Sequence, residues 1–215
     1  TVDDWIIRNG KVEWCSQTYV PAFDKLFDEI ISNSADHAKR PEGSHLNKIS
    51  VNVNPLTGTI TVADNGGIPV KQHPENKLWI PDMIFGYLRS GSNFDDDPES
   101  TTTGQNGEGS SLVNIFSTFF RVETSDGDNK FDITYINNMK DRSQPNIAPY
   151  KVKFTRITYS PDFARLKMDG LTKEVIERIE RRCWEIAATN PKIEVSFNGK
   201  VLVINSFKDF VNLFS

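Results

Sequence analysis

Glu29, Asn33 and Asp36 stand at i, i+4 and i+7 in the run Phe27-Asp-Glu-Ile-Ile-Ser-Asn-Ser-Ala-Asp36, so a helix would set all three on one face. A glutamate there can take a proton from water, and an asparagine can lend its amide oxygen to a hard divalent cation. Alone, the row reads first as a solvated polar stripe on an amphipathic helix. Two further pieces change its weight. Asp64-Asn65-Gly66-Gly67 closes a strand pattern: its carboxylate can accept from an exocyclic amine, and its glycines allow close approach of backbone and ligand. By itself that piece is equally an ordinary Asx-Gly turn. Gly104-Gln105-Asn106-Gly107-Glu108-Gly109-Ser110-Ser111 reads G-x-x-G-x-G and runs into a helical pattern starting near Leu112. Successive N–H groups and the helix dipole there would attract an anion. No Gly-Lys-Ser/Thr occurs, and a polar stretch rather than a strand precedes it, so it is neither a P-loop nor a dinucleotide fingerprint.

The elements that must position these groups alternate between hairpins and helices. Asp4 to Trp14 could pair as a hairpin around Asn9-Gly10. A helix is predicted from Tyr19–Pro21 to about Arg40-Pro41, with Phe23, Leu26, Phe27, Ile30 and Ile31 inward. Ile49–Val53 and Thr59–Ala63 form a hairpin across Pro55–Gly58, and Trp79–Leu88 a short helix. Ser90–Ser111 is a long polar stretch of the kind that serves as a lid. Leu112–Phe120 carries a helical apolar pattern, Arg121–Thr124 and Lys130–Ile136 form a hairpin, 138–149 reads as loop, and Tyr150–Tyr159 as a strand. Leu171–Ala188 is an amphipathic helix, Ile193–Ile204 a hairpin turning at Asn198-Gly199, and Phe207–Phe214 a closing helix. Hairpins interleaved with helices indicate α+β, not alternating βαβ units.

A chain of 215 residues, 37% hydrophobic, can bury a full core as one domain. No apolar run approaches the roughly 20 residues that span a bilayer, no signal-peptide pattern opens the chain, and no membrane role is expected. The start at Thr1 points to a piece excised from a longer protein. Cys15 and Cys183 match no metal or redox spacing and read as thiols of a reducing, intracellular compartment. Lys and Arg total 25 against 29 for Asp and Glu, a net charge of −4, so weak or no binding of duplex DNA by this piece alone is expected.

The ordered set E-x-x-x-N-x-x-D, D-x-G, G-x-x-G-x-G resembles the GHKL superfamily of ATPases. Within it, the chain is most similar to type II DNA topoisomerases of the eukaryotic-like single-chain kind. That resemblance is carried by Tyr19-Val-Pro, Phe27-Asp-Glu-Ile, Ile80-Pro-Asp-Met-Ile-Phe-Gly86, Gly91-Ser-Asn-Phe-Asp-Asp-Asp97, Gly104 to Ser111, Asn114-Ile-Phe-Ser117 and Phe197-Asn-Gly-Lys200. It implies a Bergerat fold over 1–215, a two-layer α/β sandwich with a mixed, mostly antiparallel sheet and helices on one face. It also implies ATP and Mg²⁺ as cofactors. Glu29 would be the general base, Asn33 the magnesium ligand, and Asp64 the acceptor for the adenine amine, with Gly66 and Thr155 nearby. Ser92 and Asn93 would contact ribose and phosphates. Gly104, Gln105, Asn106, Gly107, Glu108 and Gly109 would wrap the phosphates as the ATP lid, Glu108 pointing outward, Ser110 and Ser111 would also bind the nucleotide, and Asp36 would support the pocket. A strap exchanged between protomers and a transducer domain with a lysine for the γ-phosphate would lie outside 1–215, so turnover by this piece alone should be weak. The full-length enzyme would be a homodimer passing duplex DNA, nuclear in a eukaryote and otherwise cytoplasmic.

Three departures from the family pattern stand out. Asp64-Asn-Gly-Gly-Ile-Pro is one residue shorter than D-x-G-x-G before Ile-Pro, which leaves the place of Gly67 and the pocket floor open. Ser111 stands where the eukaryotic enzymes carry a lysine, and Gly91 where they carry a serine. The alternatives are a MutL- or chaperone-type ATPase of the same superfamily, and a module that senses ATP without turning it over.

Overall fold

Alternation sets the central strands. Lys48–Asn54 (β3) buries Ile49, Val51 and Val53, and Thr59–Asp64 (β4) buries Ile60, Val62 and, last in the same inward row, Asp64. The computed structural model describes residues 1–8, 11–88, 108–204 and 206–214. It places these strands in a nine-stranded sheet with Ser117–Ser125 (β5), Asn129–Ile136 (β6), Asp141–Arg142 (β7), Asn146–Pro149 (β8), Phe154–Pro161 (β9), Glu194–Phe197 (β10) and Lys200–Val201 (β11). The order is β11-β10-β3-β4-β9-β5-β6-β7, with β8 also on β6. The β10–β3 pair is parallel and the rest are antiparallel, the mixed, mostly antiparallel sheet that was expected. Val2–Arg8 (β1) and Lys11–Gln17 (β2) pair separately as an antiparallel hairpin; its turn at Asn9-Gly10 lies outside the described residues.

Helices cover one face. Pro21–His37 (α1) starts with proline at its first turn and buries Phe23, Phe27, Ile30, Ile31 and Ala35 at helical spacing. Lys173–Thr189 (α4) is capped by the Thr172 hydroxyl, which accepts from the Val175 N–H at 3.4 Å, and buries Val175, Ile179, Cys183 and Ile186. Ile80–Gly86 (α2), Glu108–Ile115 (α3) and Phe207–Val211 (α5) complete the set. The other sheet face is polar: Arg121 holds Asp132 at 2.9 and 2.7 Å, and the Thr61 and Thr158 hydroxyls meet at 3.1 Å. The hairpin at Asn198-Gly199 has φ of 46° and 79°, as a type I′ turn requires.

Several boundaries move. The predicted helix 112–120 is split: α3 starts at Glu108 and ends at Ile115, and β5 begins at Ser117. The Ile115 carbonyl accepts from Asn138 (3.0 Å) and Arg165 (3.2 Å), partners far along the chain that stop the helix there. The predicted loop 138–149 contains the short strands β7 and β8, and the predicted strand from Tyr150 begins at Phe154.

Candidate nucleotide site

Three inward rows of the sheet end in polar residues side by side. On β4 Ile60 and Val62 lead to Asp64, on β9 Tyr159 and Ile157 lead to Thr155, and on β5 Phe120 and Val122 lead to Thr124. The register pairs Asp64 with Thr155 and Thr155 with Thr124. A cavity of about 60 Å³ opens at Asp64 and Thr155, with Ile30, Ile68, Phe85 and Ile157 as apolar walls and Asn33, Ser34 and His37 from α1 completing it. Asp64 is 8% exposed. Its Oδ2 accepts from the Ser34 hydroxyl at 2.6 Å and its Oδ1 from the Gly66 N–H at 2.9 Å. Burial pushes its carboxyl up to about 6, against the pull of those two hydrogen bonds. Burial also lowers His37, on the same wall.

The shortened glycine turn keeps the floor intact. A Cβ on Gly67 would collide with the Ser125 carbonyl, so only glycine lets this segment lie against the end of β5. The Ile68 N–H then reaches Thr124 Oγ1 at 3.0 Å, and the Val70 N–H reaches Asp126 Oδ2 at 2.9 Å. Ile68 is thereby held in the cavity wall.

The other end of the site is made between helices. Asn33 Nδ2 donates to Ser110 Oγ, 2.7 Å away in the first turn of α3. A Cβ on Gly109 would collide with the Glu29 carboxylate, so this glycine, expected in a loop, sits in the helix to let the carboxylate reach the N-terminus. Lys25 Nζ lies 2.7 Å from Glu29 Oε1, one helical turn away, while Oε2 is the oxygen nearest Gly109. Asn114 anchors α3 to α2 by donating to the Phe85 carbonyl at 2.9 Å. A glutamate with one oxygen turned to a helix N-terminus can hold and deprotonate a water beside an anion bound there.

Of the residues singled out from sequence, Glu29, Asn33, Asp64 and Thr155 come together with Gly109 and Ser110. Ser111 is buried in the same turn. Gly66 spends its N–H on Asp64. Ser92, Asn93, Gly104, Gln105, Asn106 and Gly107, and the side chain of Glu108, lie outside the described residues. The expected supporting role of Asp36 is not what the geometry gives: it is exposed and pairs with Lys39 at 2.8 Å, while the adjacent Ser34 and His37 line the cavity. Lys25, Ser34 and Thr124 were missed. Lys25 is legible as the i−4 partner of Glu29, and Thr124 as the polar end of an alternating row; the Ser34–Asp64 contact spans 30 residues and has no local signal.

A larger cavity of about 350 Å³ lies between the β1 strand, α1 and α4. Its Arg178, Arg181 and Arg182 are paired with Asp24 (2.6 Å), Asp4 (2.8 Å) and Asp28 (2.6 Å), which leaves it without net charge to attract a triphosphate.

The family model described as "Histidine kinase-, DNA gyrase B-, and HSP90-like ATPase" matches residues 20–140, from the start of α1 to just past β6. The chain belongs to this ATPase family. Among members of this ATPase family, it is 39% identical to "DNA topoisomerase 2" of Drosophila melanogaster over 215 residues, covering 97% of this chain and 15% of that protein. It is 39% identical to "DNA topoisomerase 2-beta" of Gallus gallus over 201 residues, covering 92% of this chain and 12% of that protein. The solved ATPase region of Saccharomyces cerevisiae topoisomerase II superposes with a TM-score of 0.88 at 36% identity, over 99% of this chain and 58% of that one. The 43K ATPase domain of Thermus thermophilus gyrase B shares the fold, with a TM-score of 0.67 at 23% identity over 86% of this chain and 47% of that one. The chain thus spans 12–15% of the length of these curated relatives. Among the described residues, no helix is long and apolar enough to cross a membrane.

Proposed function

We propose that this chain binds Mg²⁺-ATP along the face of α1 and hydrolyses it, as the ATPase part of a type II DNA topoisomerase. The observation that carries the reading is the meeting of Glu29 and Asn33 with the first turn of α3, on the same helix that closes the Asp64 cavity. An apolar slot ending in a buried carboxylate suits a base with an exocyclic amine, and the α3 N-terminus suits phosphates. Asp64 and Thr155 take the base in this reading, and Ser92 and Asn93 the ribose and phosphates. Gly104 to Gly107, which precede Gly109, Ser110 and Ser111 in the chain, are assigned to the phosphates.

The donor set fits a cation that arrives on the nucleotide. Among the described residues no cluster of three or more His, Cys, Asp or Glu could hold a metal alone, and magnesium in such sites takes few protein ligands beside phosphate oxygens. Asn33 would hold it through its amide oxygen, since its amide nitrogen is spent on Ser110. When bound, the cation supplies neutralisation of charge on the phosphate oxygens. Glu29 takes the proton of the attacking water through the oxygen that faces α3. Lys25, on the other oxygen, keeps the carboxylate turned that way.

In the whole protein, bound ATP favours a closed homodimer that traps duplex DNA, and hydrolysis releases it. The net charge of −4 supports a clamp that does not itself read DNA. An intracellular protein, nuclear in a eukaryote, accords with that work. The test is Glu29→Gln in the full-length protein. Mg²⁺-ATP binding is expected to persist while ATP turnover and ATP-driven passage of one duplex through another are lost; unchanged turnover would contradict the reading.

A further inference from the structure

We propose that Thr124 is a specificity-positioning residue: it fixes the direction of the Thr155 hydroxyl so that the Asp64–Thr155 pair presents acceptors only, and thereby selects a purine with a 6-amino group over one with a 6-oxo group. The inference rests on the reading that this cavity takes the base of ATP.

The argument is a count of protons. Thr124 is fully buried, and its hydroxyl has three partners. It donates to the Phe154 carbonyl at 3.0 Å, accepts from the Ile68 N–H at 3.0 Å, and meets the Thr155 hydroxyl at 2.9 Å. A hydroxyl has one proton and two lone pairs. A carbonyl cannot donate, so the Thr124 proton belongs to Phe154, and one lone pair belongs to Ile68. What remains toward Thr155 is a lone pair, and Thr155 must supply the proton of that bond. Thr155 Oγ1 then turns only lone pairs to the cavity.

The neighbouring groups are spent in the same direction. The Ser34 proton goes to Asp64 Oδ2, and the Gly66 N–H goes to Asp64 Oδ1. Asp64 and Thr155 face each other across the β4–β9 ladder, so this pair offers carboxylate and hydroxyl lone pairs with no proton of its own to give. A 6-amino group brings two N–H donors to such a pair. A 6-oxo group sets an acceptor against acceptors and leaves only the neighbouring N1–H to pair with them, a mismatch of the kind that sites reject strongly. The carboxylate alone would favour an amine, but a Thr155 free to rotate could offer its proton to an oxo group. Thr124 removes that option.

The experiment compares binding of Mg²⁺ complexes of non-hydrolysable ATP and ITP analogues, which differ in the 6-substituent and the N1 protonation that follows from it. Wild type is expected to prefer the ATP analogue by about 100-fold or more. Thr124→Val, which frees the Thr155 hydroxyl, is expected to cut that preference by about tenfold, chiefly through tighter ITP binding, while Thr124→Ser, which keeps the hydroxyl, holds it within a factor of about two. A Thr124→Val protein that binds ATP normally with its preference intact would overturn the inference and leave the ATP reading standing. Wild type that binds neither analogue would overturn both. Thr124→Val also leaves the Ile68 N–H without its partner. Should it not fold, the Thr155 hydroxyl proton in the wild-type NMR spectrum decides: slow exchange and a cross-peak to the Thr124 side chain support the assigned direction, and a solvent-exchanging proton contradicts it.

Discussion

The two carboxylates at the ends of this site are held in opposite ways. Asp64 closes an inward row of a sheet strand, is 8% exposed, has no cation beside it among the described residues, and is pushed up to about 6 by burial. Glu29 stands on a helix, its side chain 19% exposed, with Lys25 at 2.7 Å on one oxygen. The proposed base end is fixed by ladder register and by the Ser34 and Thr124 hydroxyls, which donate to Asp64 and to the Phe154 carbonyl. The other end depends on two helices meeting through the Asn33–Ser110 bond and the bare backbone of Gly109. On the proposed reading, recognition is thus built into the sheet, and catalysis into a helix contact.

The largest expected effect falls on the helix end. Glu29→Gln should lower ATP turnover by about 10²–10⁴-fold with binding changed by no more than a few-fold, since only proton transfer is lost; parallel loss of binding would show that the ends are not separable. Asp64→Asn should do the reverse, weakening ATP binding about 10–100-fold. It should also stabilise the unliganded fold. A carboxyl raised from 3.8 to about 6 on folding contributes stability below its unfolded value that is lost as pH rises through about 6. Asp64→Asn should therefore gain on the order of 2–3 kcal/mol over wild type at pH 7.5, with the gain shrinking toward pH 4 in denaturant titrations.

Smaller effects probe how the helices meet. Gly109→Ala places a methyl on the Glu29 carboxylate, and turnover should fall about tenfold, at a stability cost of roughly 1–3 kcal/mol. Lys25→Met should reduce turnover a few-fold and change stability by less than about 1 kcal/mol, because Lys25 is largely exposed. Asp36→Asn should leave turnover within a factor of about two; a tenfold fall would restore the pocket role that its exposed pairing with Lys39 denies it.

This contrast also explains what could be read from sequence. Strand periodicity marks Asp64 as inward because the row Ile60, Val62, Asp64 continues at a spacing of two, and helical periodicity aligns Glu29 with Asn33. The start of α3 was misjudged because Gly109 is a poor helix former whose reason for being there, the Glu29 carboxylate, is 80 residues away. The end of α3 was misjudged because Asn138 and Arg165 cap it from other parts of the chain. Asp36 shares the helix face of Glu29 but lies past the end of the cleft, where Lys39 is its neighbour. Spacing gives the face of a helix; packing decides how much of that face is covered.

The most direct test is an experimental structure of the protein with Mg²⁺ and a non-hydrolysable ATP analogue. The account predicts the base in the Asp64 cavity with its exocyclic amine on that carboxylate, and the phosphates at the α3 N-terminus within reach of Glu29 and Asn33. A nucleotide seated instead in the 350 Å³ cavity beside Arg178, Arg181 and Arg182 would contradict it.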